Sequence, residues 1–221
     1  MVNFNRLALL AFVLCISLLF SCSYENEPGK DISNYRIEQI GKQVWMAENL
    51  NYNVSGSKCY NNDPANCNKY GRLYDWATAM GIDAKYNKEE WRGGEVRHQG
   101  ICPSGWHIPS DAEWKTLIDS VGGSSIAGRY LKATNGWHNC GIGSSHSYQC
   151  EDKFGFSAMP GGIGYSDGKF HYIGEYGYWW SSSEYRGEDA YYRDMNYISD
   201  AAGWYNYGAK TNLLSVRCLR N

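Results

Sequence analysis

No run of basic residues occurs anywhere in this chain, and acidic and basic side chains nearly balance at a formal net charge of −2. Nucleic-acid binding needs a clustered positive footprint, so nucleic acid is excluded as a partner. Beyond residue 21 there is no apolar stretch long enough to span a membrane. Cys-x-x-Cys is absent, and His138 near Cys140 and His146 near Cys150 stand outside zinc-finger spacing, so the cysteines do not read as metal ligands. The EF-hand pattern is missing too, and the oxygen-rich Asn61-Asn62-Asp63-Pro64 reads as a turn rather than a calcium site. Neither a metal nor any other cofactor is expected. Aliphatic residues are sparse, and only 6 Phe stand against 19 Tyr, 9 Trp and 25 Gly. A core built this way leans on large rings with polar tips, which need hydrogen-bond partners when buried. That suits an exported domain stapled by disulfides.

The N-terminus carries an address. Arg6 is the one charge in residues 1–21, and Leu7 to Phe20 is an apolar run too short for a comfortable membrane span. It ends in Leu19-Phe20-Ser21-Cys22, a small residue before a cysteine, which resembles a lipoprotein signal cut before Cys22 with lipid added to that cysteine. Phe20 departs from the small or aliphatic residue usual at that place. The alternative is an ordinary secretory signal with an incidental cysteine. Residues 22–34 read as a flexible tether, and Glu25 and Glu27 resemble the acidic tag of some surface-exported lipoproteins. Residues 35–221 suit one domain. Without the leader there are 20 basic and 23 acidic residues, a net charge of −3.

Setting aside Cys15 in the leader and Cys22, six cysteines remain, an even number in an exported chain. Spacing favours Cys59–Cys67 and Cys140–Cys150 as local clasps across polar loops. That leaves Cys102–Cys218, closing most of the domain.

The clearest helix follows Cys102. Ser110 and Glu113 have capping-box spacing. Trp114, Leu117, Ile118 and Val121 form one apolar stripe, and Gly122-Gly123 ends it. Leu73, Trp76, Ala77 and Met80 repeat the stripe and predict a second helix over 71–81. Tyr35 to Met46 reads as a hairpin around Gly41-Lys42. Residues 82–99 read as an exposed excursion, and Ala127 to Ala133 as a short strand or turn. From Phe154 the pattern turns to β: 154–162, 164–172 with an Asp-Gly turn, 177–183, 190–197 and 215–220, with 203–208 as a further hairpin edge. Two helices followed by antiparallel strands predict α+β.

Seven segments then become recognisable: Gln43-Val-Trp-Met-Ala-Glu-Asn-Leu-Asn51, Cys59-Tyr-Asn-Asn-Asp-Pro-Ala-Asn-Cys67, Tyr70-Gly-Arg-Leu-Tyr-Asp-Trp76, Cys102-Pro-Ser-Gly-Trp-His-Ile-Pro109, Gly155-Phe-Ser-Ala-Met-Pro-Gly-Gly162, Trp179-Trp-Ser-Ser-Ser183 and Ser215-Val-Arg-Cys218. In this order they resemble the Fibrobacter succinogenes major paralogous (FISUMP) domain, over roughly residues 36–220. That family in turn resembles a broader C-type-lectin-like group that includes the formylglycine-generating enzymes. The resemblance implies two helices packed on short antiparallel strands with long loops. It also implies a surface or exported protein, with adhesion and carbohydrate contact suspected by association.

Chemistry is sparse. The late cysteine pair of the formylglycine enzymes has no counterpart here, and the calcium and sugar motifs of C-type lectins (Glu-Pro-Asn or Gln-Pro-Asp, with Trp-Asn-Asp) are absent. Ser181 to Ser183 beside Glu184 lack a nucleophile elbow. His107 and Glu113 read as structural, and Glu184, Asp189 and Asp194 show no spacing that marks a glycosidase pair. The sequence therefore predicts a non-catalytic, lipid-anchored protein of the outer membrane or cell surface. Its expected role is adhesion to, or binding of, polysaccharide or a surface protein. Two alternatives stay open: a purely structural envelope module, and a cryptic enzyme of the formylglycine-generating group. Aromatics crowd the second half, and Trp204, Tyr205 and Tyr207, on a Gly-bounded loop, are the expected ligand contacts. Trp179 and Trp180 are neighbours, so on a strand they point to opposite faces and one at most is exposed.

Overall fold

The computed structural model describes residues 31–93, 97–140 and 148–221, with the backbone alone at 204–207. The leader, Cys22 and the tether as far as residue 30 lie outside the described residues. Asp31 already caps a short 3-10 turn, Ile32–Asn34, and Ile32 packs on the core.

The fold is α+β, with three antiparallel sheets among the described residues. The first has the order β1 (Ile37–Ile40), β2 (Gln43–Met46), β9 (Leu219–Arg220), β3 (Trp106–His107). The predicted hairpin is β1–β2, and Gly41 supplies the positive φ of 61° at its turn. The second is the small hairpin β4 (Ile163–Gly164) and β5 (Phe170–His171). The third joins β6 (Tyr176–Arg186), β7 (Asp189–Asn196) and β8 (Ala202–Ala209) in sequence order.

Four α-helices occur among the described residues, not two. They are α1 (Pro64–Tyr70), α2 (Trp76–Met80), α3 (Asp111–Ser120) and α4 (Ser124–Leu131). Helix α3 has both halves of the predicted capping box, and Trp114, Leu117, Ile118 and Val121 are all buried. Helix α2 is shorter than predicted because the Asp75 carboxylate accepts from Thr78 N at 2.9 Å and starts the helix there. Leu73 is extended instead, bridging Lys58. Helix α4 replaces the predicted strand or turn at 127–133. Its Gly128 lies so close to the following chain that an added Cβ would stand 2.2 Å from the Ala201 carbonyl oxygen. The predicted strand 154–162 is a loop, since Gly155 and Ser157 take φ of 68° and 51°. Likewise only Leu219–Arg220 of the predicted strand 215–220 is strand.

β6 is the wall between two cores. Its neighbours Trp179 and Trp180 point to opposite faces, as expected, and each is fully buried in a different core. Trp180 joins Tyr74, Trp76, Trp106 and the Cys102–Cys218 bridge. Trp179 joins Trp45, Trp114, Phe156 and the faces of α3 and α4. The polar tips find partners: Trp179 Nε1 donates to Asn49 Oδ1 at 2.8 Å and Trp180 Nε1 to the Tyr74 carbonyl at 2.8 Å.

The excursion predicted over 82–99 is largely exposed where it is described, and it is anchored at two points in 82–93. Asn87 is buried and accepts from Ala77 N at 2.9 Å. Glu184 accepts from Trp91 N at 3.0 Å and pairs with Lys210, which is fully buried over the Trp76 ring.

Candidate functional site

The cysteines pair as spacing indicated: Cys59–Cys67, Cys102–Cys218 and Cys140–Cys150, with Cα separations of 5.0, 5.9 and 5.6 Å. Cys22 lies outside the described residues. So do the side chains of Trp204, Tyr205 and Tyr207, whose backbone belongs to β8.

The other residues weighed for chemistry have structural tasks. His107 is buried, with Nδ1 at 2.8 Å from Asn221 Oδ1 and Nε2 at 3.0 Å from Glu113 Oε1. Glu113 also accepts from Ser110 N and Oγ, and the hydrogen bonds from His107 and Ser110 outweigh burial and lower its pKa. Glu184 is taken by Lys210. Gly164-Tyr-Ser-Asp-Gly168 spells Gly-x-Ser-x-Gly, which the reading of the sequence overlooked, but it is the exposed turn of the β4–β5 hairpin. A nucleophile elbow needs a strand-to-helix turn. Among the described residues no group of three His, Cys, Asp or Glu side chains is close enough to hold a metal ion.

A groove of about 980 Å³ has room for a ligand, at the upper end of the size usual for ligand pockets. One wall is the chain entering and leaving the β1–β2 hairpin, from Asn34 to Arg36 and from Ala47 to Asn53. The second is the Cys59–Cys67 clasp with α1 and Arg72. The third is the loop pair around Asn135 and Ser157. Four of the seven recognisable segments thus meet along one groove: 43–51, 59–67, 70–76 and 155–162.

Each wall is held by local chemistry. Asp63 caps α1 and Pro64 occupies its first turn, a start signal the sequence carried openly. Arg72 braces the clasp, donating to Ser57 Oγ at 2.8 Å with Nη1 at 3.6 and 3.5 Å from the two sulfurs. Across the groove Arg36 donates to Glu48 Oε1 at 3.2 Å and to Ser157 Oγ at 2.8 Å, and Asp152 accepts from Ser157 N at 2.6 Å.

Beneath lies a fully buried polar keystone. Arg217 donates to the carbonyls of Phe156 and Ser157 and, at 2.7 Å, to Asn49 Oδ1. Its guanidinium stacks 4.3 Å from the Phe156 ring centroid. Burial pushes its pKa down to about 9, so it stays charged at neutral pH. Asn49 answers with both ends of its amide, donating to the Tyr70 carbonyl at 2.9 Å while accepting from Trp179 and Arg217. One arginine therefore ties three recognisable segments to the groove floor.

About half of the lining is polar: asparagine amides at 34, 49, 51, 53, 62, 68 and 135, four cations (Arg36, Lys58, Lys69, Arg72) and two carboxylates (Glu48, Asp152). Such a surface offers many donors and acceptors to a hydroxyl-rich ligand. Its Ser157 hydroxyl donates to the Asp152 carboxylate and accepts from Arg36, which fixes it in the wall.

The second sheet surface of interest is the face of β6 and β7 bearing Tyr178 and, directly across, Asp194. Asp194 is 4 % exposed, and burial raises its pKa to about 6. Because the folded value exceeds the ordinary one near 4, this group adds stability at low pH and loses it as pH rises through about 6. Asp194→Asn is therefore expected to raise stability at neutral pH by about 1–3 kcal/mol and to flatten the pH dependence between about 4 and 7. Urea unfolding across that range measures it; an unchanged slope contradicts it.

Comparison with curated proteins and with solved structures finds no match. The family model of the Fibrobacter succinogenes major domain does match, over residues 39–220, which hold all seven recognisable segments, and the chain belongs to that family.

Proposed function

We propose that this chain is an exported, lipid-anchored, non-catalytic binding protein whose polar groove takes a strand of polysaccharide. The observation that carries the reading is the meeting of four recognisable segments along one groove lined by amides and charged groups. The supporting chemistry is hydrogen bonding to hydroxyl groups. Asparagine amides give paired donors and acceptors, and the Arg36–Glu48 and Ser157–Asp152 links hold the wall in place. Family membership is consistent with a surface protein. The helices beside short antiparallel strands, with the 116-residue span of the Cys102–Cys218 bridge, support a C-type-lectin-like arrangement. The described residues hold no helix long and apolar enough to cross a membrane; the attachment in this proposal is lipid on Cys22.

The test of the groove is retention of the full chain, in detergent, on a glycan array and on insoluble polysaccharides, with and without calcium. At least one polymer is expected to retain it. Asn53→Ala together with Asn135→Ala, both exposed on the groove, should weaken that retention about tenfold without lowering stability. Retention on no polymer, or retention untouched by both changes, would sink the reading. The anchor has its own test. Cys22→Ser should move the protein from the membrane fraction to the soluble fraction, and continued membrane association would refute lipidation there.

A further inference from the structure

We propose that the tyrosine face of β6 and β7 is a second binding site, for the ammonium groups of an amino-sugar polymer. The inference does not depend on the groove. A continuous ladder of rings runs over this face: Tyr165, His171, Tyr172, Tyr176, Tyr178 and Tyr192, with successive centroids 5.4, 5.7, 5.3, 5.5 and 5.9 Å apart. Its inner end packs on the first core, where Trp180 meets Tyr192. Its outer end is open, with Tyr172 43 % exposed. Tyr176 and Tyr178 are parallel to within 4°.

Asp194 lies in the floor of this ladder. It is the direct cross-strand partner of Tyr178 and so shares its face. It is almost wholly buried, and its Oδ1 has no hydrogen-bond partner among the described residues. Arg193, next in sequence, turns to the opposite face and pairs with Asp111 at 2.6 Å. The residue facing Asp194 from β8 is Gly203, which brings no charge. From β6 it faces the neutral phenols of Tyr176 and Tyr178, whose pKa values it raises alongside their own burial. Glu175, at the entry to β6, adds a second negative charge beside Tyr176.

The result is a buried negative charge whose neighbouring cation, Arg193, is paired with Asp111 and offsets it only in part, behind aromatic faces that are themselves negative. An ammonium group against those faces gains from the ring quadrupoles and from the carboxylate beneath, across a medium of low dielectric. A hydroxyl gains only the ring contact. The ladder repeats its rings at nearly even steps, so it fits a ligand that repeats, a polymer of sugar rings, better than a single amine.

The experiment compares two glucosamine polymers binding to the full chain in detergent. One is N-trimethylated, with a charge that does not titrate; the other is N-acetylated and neutral. At about pH 8 the charged polymer should bind about tenfold more tightly. The preference should fade as pH drops below about 6, where Asp194 is protonated. Asp194→Asn should abolish the preference while leaving neutral-polymer binding in place, and Tyr178→Leu should weaken both. The groove pair Asn53→Ala with Asn135→Ala should leave the preference intact. Equal binding of the two polymers, or a preference that survives Asp194→Asn, would overturn the proposal. So would polylysine binding as tightly as the charged sugar polymer, because the site would then read amines without reading sugar.

Discussion

Arg217→Ala is expected to lower the free energy of unfolding by about 3–5 kcal/mol, the range seen when a buried charged hydrogen-bonding group loses its place. The physical reason is threefold. The guanidinium occupies fully buried volume against the Phe156 ring, so truncation leaves a cavity. The carbonyls of Phe156 and Ser157 lose their donor, and that of Phe156 stays buried. Asn49 keeps Trp179 but loses the contact that aligns its oxygen. Arg217→Lys keeps the charge but has one nitrogen where the fork has two, so it should recover only part of the loss. Because Asn49 and Ser157 also line the groove, both variants should weaken polymer retention more than their stability at the assay temperature explains. Urea unfolding beside retention measures the two effects together. A loss below about 1 kcal/mol would show that the keystone is dispensable.

The second large effect is in the long bridge. Removing Cys102–Cys218 as a double Ala variant is expected to cost about 4–5 kcal/mol, from the loop entropy released to the unfolded chain. The bridge spans 116 residues, whereas the Cys59–Cys67 clasp spans 8. The same treatment predicts about 2–3 kcal/mol for the clasp. Both cysteines of the long bridge are fully buried in the first core, so their loss also loosens packing around Trp106 and Val216. Denaturant unfolding of the two double variants side by side gives the comparison. A clasp that costs more than the long bridge would contradict the ranking.

Much of this was readable in the residues before any fold was seen. The capping box at Ser110 and Glu113, the stripe after it and the Gly-Gly stop are local signals, and α3 follows them residue by residue. The β1–β2 hairpin and the run of strands after Tyr176 are equally local, set by alternation and by turn glycines. Helix α4 was missed because Gly128 weakens any helical reading. Its glycine is demanded by the close approach of residue 201, which sequence does not display. The α1 start at Asp63-Pro64 was present, but the flanking cysteines drew the segment into a loop reading.

The site was less readable than the fold. The groove is made of amides and ion pairs scattered over the chain from Asn34 to Met159, with no motif of chemistry to join them. Aromatic density pointed to Trp204, Tyr205 and Tyr207, whose side chains lie outside the described residues. Trp45, Trp76, Trp106, Trp114, Trp137, Trp179 and Trp180 are all buried, and the ladder of partly open rings is built mainly of tyrosines. Nothing in the spelling marks Asp194 apart from Glu184 or Asp189. Only the register opposite Tyr178 and the burial do so.

The most direct measurement of the central claim is a chemical-shift titration of the full chain in detergent with a soluble oligosaccharide of whichever polymer retains it. The groove account predicts that the shifted side-chain amides are those of Asn51, Asn53 and Asn135, with the Arg36 and Arg72 guanidinium signals moving in step. Shifts confined to other faces, or no saturable shift at any groove residue, would contradict it.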